Sequence, residues 1–456
     1  MVGPYRLPCE TPEAHRPDDR KGSTRWVLPA IILGSSLSFI DGSVVNVALP
    51  AMRQSLGADL ATMQWVVNGY MLTLASLILL GGAAGDRYGR RRIFIVGLIG
   101  FTAASLACGL APSAGWLVAS RFAQGTAAAF LVPASLAIIG AAYSGEERGR
   151  AIGTWAAAGA LTTALGPLVG GWLVDTIGWR AIFFINLPFA AGALWLALKL
   201  SVDESTEVKL PLDARGALFA ILALGLLSYG LIALGAGQNL AGGVSLVLAL
   251  PATVLFLGAE ARAKAPMMPL SLFRNETFSG ANGLTLMLYA ALSGALFLLP
   301  FLLIQVYSYS ATAAGAAFLP FPIIMGLGSR WSGGLVERIG AKLPLVIGPA
   351  IVAAGFALLA LSGGTANYWT GFLPGLAVVG IGMTLSVAPL TTTVLNSVPD
   401  DKSGAASGIN NAAARTGGLV AVAALGLAFG GADAASMDSG SLMNAYRLVK
   451  IGRAHV

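Results

Sequence analysis

Gly85-Asp86-Arg87-Tyr88-Gly89-Arg90-Arg91-Arg92 stands between two long apolar runs, and a weaker copy follows at Gly333-Gly334-Leu335-Val336-Glu337-Arg338-Ile339-Gly340-Ala341-Lys342. Glu337 lies 251 positions after Asp86, and the same offset carries Arg87 onto Arg338, Gly89 onto Gly340 and Arg91 onto Lys342. A cluster of glycine, acid and base that recurs between membrane spans predicts a transporter of two related lobes.

The flanking composition agrees. Of 456 residues, 56% are hydrophobic and 11% charged, against about 25% charged in a soluble domain. The apolar residues fall into runs of about 20, long enough for helices to cross a bilayer. Thirteen are read: 26–50, 60–84, 93–112, 115–143, 151–174, 179–200, 214–236, 243–262, 277–307, 311–332, 343–362, 369–396 and 403–432. Backbone in lipid must satisfy its own hydrogen bonds, and the runs lack the alternation of barrel strands. The expected fold is therefore all-α and membrane-spanning.

A second repeat fixes the organisation. Segment 146–154 corresponds to 400–408 at an offset of 254. The sequence divides into a tail, 1–25; a six-helix lobe, 26–200; a polar linker, 201–213; an inserted helix pair, 214–262; and a second lobe, 263–449. That lobe lacks its sixth helix: Ser441 to Val449 reads as the stub of a fourteenth span. Lys450-Ile451-Gly452-Arg453-Ala454-His455-Val456 matches the translation of AAG ATC GGA AGA GCA CAC GTC, which resembles sequencing adapter. Residues 450–456 are expected to be an assembly artefact on a gene truncated inside that span.

The net charge of +7 does not point to nucleic acid, because its placement follows topology. Arg16, Arg20, Lys21, Arg25, Arg87 to Arg92, Arg148, Arg150, Lys199, Lys209, Arg215, Arg262, Lys264, Arg274, Arg338, Lys342 and Lys402 fall in alternate loops. The opposite loops hold only Arg53 and Arg180, apart from the C-terminal stub. The positive-inside bias predicts a cytoplasmic N-terminus. Cys9 and Cys108 form no disulfide framework, and the first span is too long for a signal-peptide core. Trp26, Trp116, Trp179 and Trp369 stand at span edges, where such rings settle among headgroups.

Five ordered segments carry a family resemblance: Asp41 to Pro50; the 85–92 loop; Leu117 to Gly125; Gly166-Pro167-Leu168-Val169-Gly170-Gly171; and Pro269 to Asn275. Over residues 26–449 the chain resembles the fourteen-span drug:proton antiporter branch of the major facilitator superfamily. It departs from that pattern at the missing end and at Ala341, which replaces an arginine. The resemblance implies alternating access, a proton gradient as driving force and no cofactor. It implies protons, a small-molecule substrate and the lipid bilayer of the bacterial inner membrane as partners. It leaves room for a periplasmic adaptor, which no residue indicates.

Asp41 is the one acid well inside a span. At 1.5 Å per residue it lies about 22 Å from the start of the first span, and Arg121 about 9 Å below the opposite end of the fourth. In a core about 30 Å thick the two share a depth, and buried charge demands a partner. The pair is expected to couple: Arg121 favours the carboxylate when close, and separation favours the protonated acid. Gly85, Asp86, Arg87, Gly89, Arg90 and Arg91, with Glu337 and Arg338, resemble the family's cytoplasmic gate. Asp86 is expected at a neighbouring helix N-terminus, and the arginines on carboxylates or last-turn carbonyls across the lobes. Gly159, Gly166, Pro167, Gly170 and Gly171 resemble the antiporter motif, expected to close the outer side against the other lobe and, by resemblance, to mean export.

Candidate cavity residues are Asn46, Gln124, Asn282, Asn410, Asn411 and Arg415, with Asn68, Tyr70, Tyr289 and Gln305 as further polar groups. His15 lies in the tail, so no intramembrane histidine relay is present. No phosphate-binding Gly-x-x-x-x-Gly-Lys-Ser/Thr loop supports ATP drive. No clustered metal ligands or acid–base pairs support a membrane enzyme. Within transport, export of many amphipathic molecules competes with export of one metabolite or siderophore. The span-five motif argues against uptake.

Overall fold

The apolar runs fold as helices, and polar side chains close their ends. Asp59 Oδ1 accepts Thr62 N at 2.8 Å, and Ser113 Oγ accepts Trp116 N at 3.3 Å, satisfying amides that have no carbonyl four residues back. The computed structural model describes residues 18–200, 211–332, 339–362, 367–399 and 402–429, all helix or connection. The chain is a multi-pass membrane protein.

In order, the helices are α1 (Asp18–Leu56), α2 (Leu60–Tyr88), α3 (Arg90–Gly109), α4 (Ala114–Ala142), α5 (Gly145–Thr176), α6 (Ala181–Phe184) and α7 (Asn186–Ala197). Then come α8 (Ala214–Gly235), α9 (Asn239–Arg262), α10 (Glu276–Phe301), α11 (Ala311–Ala317) and α12 (Pro320–Ser332). The last are α13 (Lys342–Ser362), α14 (Tyr368–Gly371), α15 (Leu373–Asn396) and α16 (Ser403–Ala424). Among the described residues 12 helices are long and apolar enough to cross a membrane, with Ala181–Ala197 as a shorter apolar segment. The stub and residues 450–456 lie outside the described residues, as do Glu337 and Arg338.

Several boundaries depart from the sequence reading, and the span read as 369–396 breaks at Phe372 into α14 and α15. α1 begins at Asp18, inside the stretch read as tail. The sixth span breaks into α6 and α7 around Ile185, because Pro188 in the first turn of α7 has no N–H to continue a helix from before it. The tenth span breaks between α11 and α12, where Pro320 is the first residue of the new helix. The ninth ends in a π-helical turn, Leu302–Val306. Trp179, expected among headgroups, is instead buried edge-on against Phe183, while Trp116 and Trp369 are exposed as expected.

The packing repeats as the sequence does. α1 lies against α5, and α2 and α3 against α4; likewise α10 lies against α16, and α12 and α13 against α15. The halves meet along two seams, α5 with α11 and α2 with α16. α8 packs on α2 and α16, whereas α9 leans on α8 and exposes Leu240, Val247, Leu250 and Val254. Small residues make the close approaches, as in lipid-embedded bundles. A methyl on Gly81 would collide with the Ala129 carbonyl, and one on Gly125 with the Tyr70 carbonyl, so α2 and α4 touch backbone to backbone.

Candidate functional site

Asp41 on α1 and Arg121 on α4 face each other in the first half, 0% and 2% exposed. Arg121 Nη1 donates to Asp41 Oδ2 at 2.6 Å and to Gln124 Oε1 at 2.7 Å. Its Nε donates to the Val66 carbonyl of α2 at 2.9 Å. Gln124 follows Arg121 by three residues, hence on the same helix face, and its Nε2 donates to Asp41 Oδ1 at 2.8 Å. Both carboxylate oxygens are thus occupied by donors. The guanidinium lies 4.5 Å over the Tyr70 ring, whose hydroxyl pairs with Ser38 Oγ at 2.7 Å. A charge buried in three helices is tolerable because every partner is present.

The second-half residues expected in a cavity gather separately. Asn410 Nδ2 donates to Thr285 Oγ1 at 2.7 Å and to Asn282 Oδ1 at 3.2 Å, tying α16 to α10. Asn410 and Asn411 join Tyr289, Thr391, Ser407 and Ala414 around a cavity of about 120 Å³. That is smaller than the roughly 300 Å³ at which drug-sized pockets begin. Arg415 is half-buried, close enough to Tyr70 and Tyr289 to act on both electrostatically. Asn46 is half-buried outside both groups, and Asn68 is fully buried with both amide atoms unpartnered.

The loop between α2 and α3 turns at Gly89, whose φ is 96°; its repeat mate Gly340 has φ 76°. Both positions need the left-handed backbone that glycine adopts without strain. Asp86 differs from expectation: its carboxylate takes the Arg90 guanidinium at 3.0 Å and 3.2 Å, the two being one helical turn apart. Arg91 caps last-turn carbonyls as expected, Ala197 at 3.0 Å and Leu198 at 2.8 Å. Those carbonyls end α7, in the same half, and do not cross to the other. Arg87 lies 5.4 Å from the Tyr88 ring. A methyl on Gly85 would meet the Arg90 side chain at 4.0 Å, and the Gly85 carbonyl accepts Gly89 N at 3.1 Å.

At the opposite face, the antiporter-like motif splits its work. Methyl groups on Gly159, Gly166 and Gly170 would strike Phe39, Ser43 and Val44 of α1, so these glycines seat α5 within its own half. Gly171 and Pro167 face the other half: Gly171 meets the Ala311 carbonyl, and Gly315 meets the Pro167 carbonyl. Sequence reasoning missed the residue that fastens this seam. Asp175 Oδ1 accepts Ala311 N at 3.0 Å, and Oδ2 accepts Thr312 N at 2.8 Å and Thr312 Oγ1 at 2.6 Å. Its spacing of four from Gly171 was the available signal, since both then share one face. Gln64 fastens the second seam, donating to Val422 O at 2.6 Å.

Comparison with known proteins places this geometry. A family model described as Major Facilitator Superfamily matches residues 31–422. The multidrug resistance protein Stp of Mycobacterium tuberculosis (strain CDC 1551 / Oshkosh) is 37% identical over 398 residues, covering 86% of this chain and 74% of that protein. The tetracenomycin C resistance and export protein of Streptomyces glaucescens is 33% identical, covering 91% and 78%. The methylenomycin A resistance protein of Bacillus subtilis (strain 168) is 35% identical, covering 88% and 86%. Among solved structures, a POT family transporter in complex with 5-aminolevulinic acid superposes with TM-score 0.69 at 13% identity, covering 94% of this chain and 95% of that one. An inward-facing bacterial homologue of the human lysosomal transporter Spinster gives 0.63 at 18%, covering 95% and 96%. Repeated halves, two fastened seams and a sequence match over most of the length lead to one assignment: the chain belongs to the Major Facilitator Superfamily.

Proposed function

We propose that the chain is a proton-coupled secondary transporter that exports amphipathic small molecules (drugs, antibiotics or metabolites) across the bacterial inner membrane by alternating access. It is a carrier and not a catalyst of covalent chemistry. The proton gradient drives it without a cofactor, and its basic loops and N-terminus face the cytoplasm. Relatives named for drug resistance and antibiotic export support the direction.

The observation that carries the reading is Asp41, buried with both carboxylate oxygens held by Arg121 and Gln124. A proton added there would set a donor against the guanidinium. Protonation therefore follows withdrawal of Arg121, and a cationic substrate competes for the same carboxylate. Motion that separates α1 from α4 couples proton binding to the state of the cavity. The test uses energised inverted vesicles and a lipophilic fluorescent cation such as ethidium. Adding the cation should release protons from the lumen, and Asp41→Asn should abolish the release. Undiminished substrate-driven flux in Asp41→Asn would refute the reading.

Export of a single metabolite is the second reading, favoured by the relative named for tetracenomycin C resistance and export. A growth-inhibition panel separates the two: broad export protects against several unrelated compounds, dedicated export against one.

A further inference from the structure

Two acids at the inserted helix pair, Asp213 at the end of the linker and Glu260 on α9, have no part in the transport reading. Asp213 caps α8, its Oδ1 accepting Gly216 N at 2.8 Å. Glu260, near the end of α9, is 2% exposed, and its Oε2 accepts Met268 N at 2.9 Å. The second oxygen of each carboxyl, Asp213 Oδ2 and Glu260 Oε1, is buried without a hydrogen-bond partner. These two orphans converge: each lies 2.7 Å from the point where a Cβ on Gly216 would stand, so the missing side chain of Gly216 leaves them room.

No basic group compensates them among the described residues. Asp213 is the charged neighbour that acts on Glu260. Arg215 and Lys264 are exposed, and Arg262 donates to its own Gly258 carbonyl at 3.1 Å. At the end of α2, Asp86 is paired with Arg90. Two unpaired carboxylates in such a place carry a cost that a shared positive charge removes. Hard metal cations of the calcium and magnesium type take about six oxygen ligands, and no group of three or more His, Cys, Asp or Glu side chains is gathered among the described residues. One proton suits the site better, because it makes one carboxyl a donor and the other an acceptor and so satisfies both orphans.

We propose that Asp213 and Glu260 form a proton-binding site, a carboxyl–carboxylate pair sharing one proton that clamps the linker end of α8 to the loop after α9. The site is separate from Asp41 and stands whether or not Asp41 carries protons. A proton held by the pair in the folded chain and given up by the unfolded chain stabilises fully at acid pH, below the ordinary carboxyl range, and the stabilisation is lost as pH rises through the titration of the folded pair.

The test follows thermal unfolding of the full chain across pH at constant ionic strength. The wild-type melting temperature should fall as pH rises from acid toward neutral. Glu260→Gln should remove that part of the fall, since an amide N–H replaces the bridging proton and does not dissociate. Asp213→Asn should do the same while still capping α8, because Asn caps as well as Asp. The infrared carbonyl band of a protonated carboxyl should weaken in both variants. If both variants keep the wild-type pH slope, the site is not a proton site. A rise in wild-type melting temperature with sodium over potassium, lost in Glu260→Gln, would assign the site to a metal cation and also overturn the proposal.

Discussion

Gln124 is what separates the Asp41 cluster from a simple ion pair. Arg121 could neutralise Asp41 alone, yet its Nη1 is shared between Asp41 Oδ2 and Gln124 Oε1, and Gln124 returns a donor to Asp41 Oδ1. The ring so formed fixes the carboxylate in one orientation. Gln124→Leu keeps the volume but strands Asp41 Oδ1 and one guanidinium bond, and should cost about 1–3 kcal/mol, read as a lower melting temperature of the purified chain. Arg121→Lys keeps the charge and loses the planar fork, which reaches Val66 O and Asp41 together. It is expected to fold and to export poorly, measured as dye efflux at equal membrane abundance. Wild-type efflux from Arg121→Lys would mean that charge alone suffices. The meeting of Asp41 and Arg121 was legible in the sequence, because counting residues along two antiparallel spans gives depth. The roles of Gln124 and of Tyr70 were not. They depend on which helix face turns inward, and a helix apolar on every side hides that.

α5 shows how one helix serves two neighbours. Its glycines at 159, 166 and 170 admit α1, while Gly171 and Asp175 address α11. A side chain at Gly171 would push the Ala311 carbonyl away and part the seam. Gly171→Val should therefore raise the labelling of a cysteine at Thr312 by a membrane-impermeant reagent, while the same label on Gly159→Val should stay at the wild-type level, because Gly159 meets α1 instead. Equal labelling in the two would refute the division of labour along α5. The elements themselves were legible from apolar run length, including the inserted pair. The breaks at Ile185 and at Phe318–Leu319 were not, because a proline ends one helix or begins the next according to the packing around it. Asp175 escaped notice for another reason: its spacing from Gly171 gives the face it shares, but its partners at Ala311 and Thr312 lie more than a hundred residues away, so no local pattern names them.

The two seams, α5 with α11 and α2 with α16, are repeats of one another, since α16 stands in the second half where α5 stands in the first. Such a pair lets two rigid halves rock about a shared axis, and the motion requires contacts on one face to break. Asp175 and Thr312 are those contacts at the face opposite the basic loops, joined at 2.6 Å and 2.8 Å. The double variant Asp175→Cys with Thr312→Cys, made with Cys9 and Cys108 replaced by serine, places two thiols where the bond now stands. Oxidation should lock that face shut and stop efflux, and reductant should restore it. Each single variant, treated identically, should keep its activity through oxidation, which isolates the cross-link from the loss of Asp175 itself. The lock should leave substrate binding intact when measured by dye fluorescence on the purified chain, because the bonds of the latch involve neither Asp41 nor its partners Arg121 and Gln124. Continued efflux through a fully cross-linked seam would mean that the halves need not part there. Alternating access by rocking would then fail for this chain, whatever the fate of the proton on Asp41.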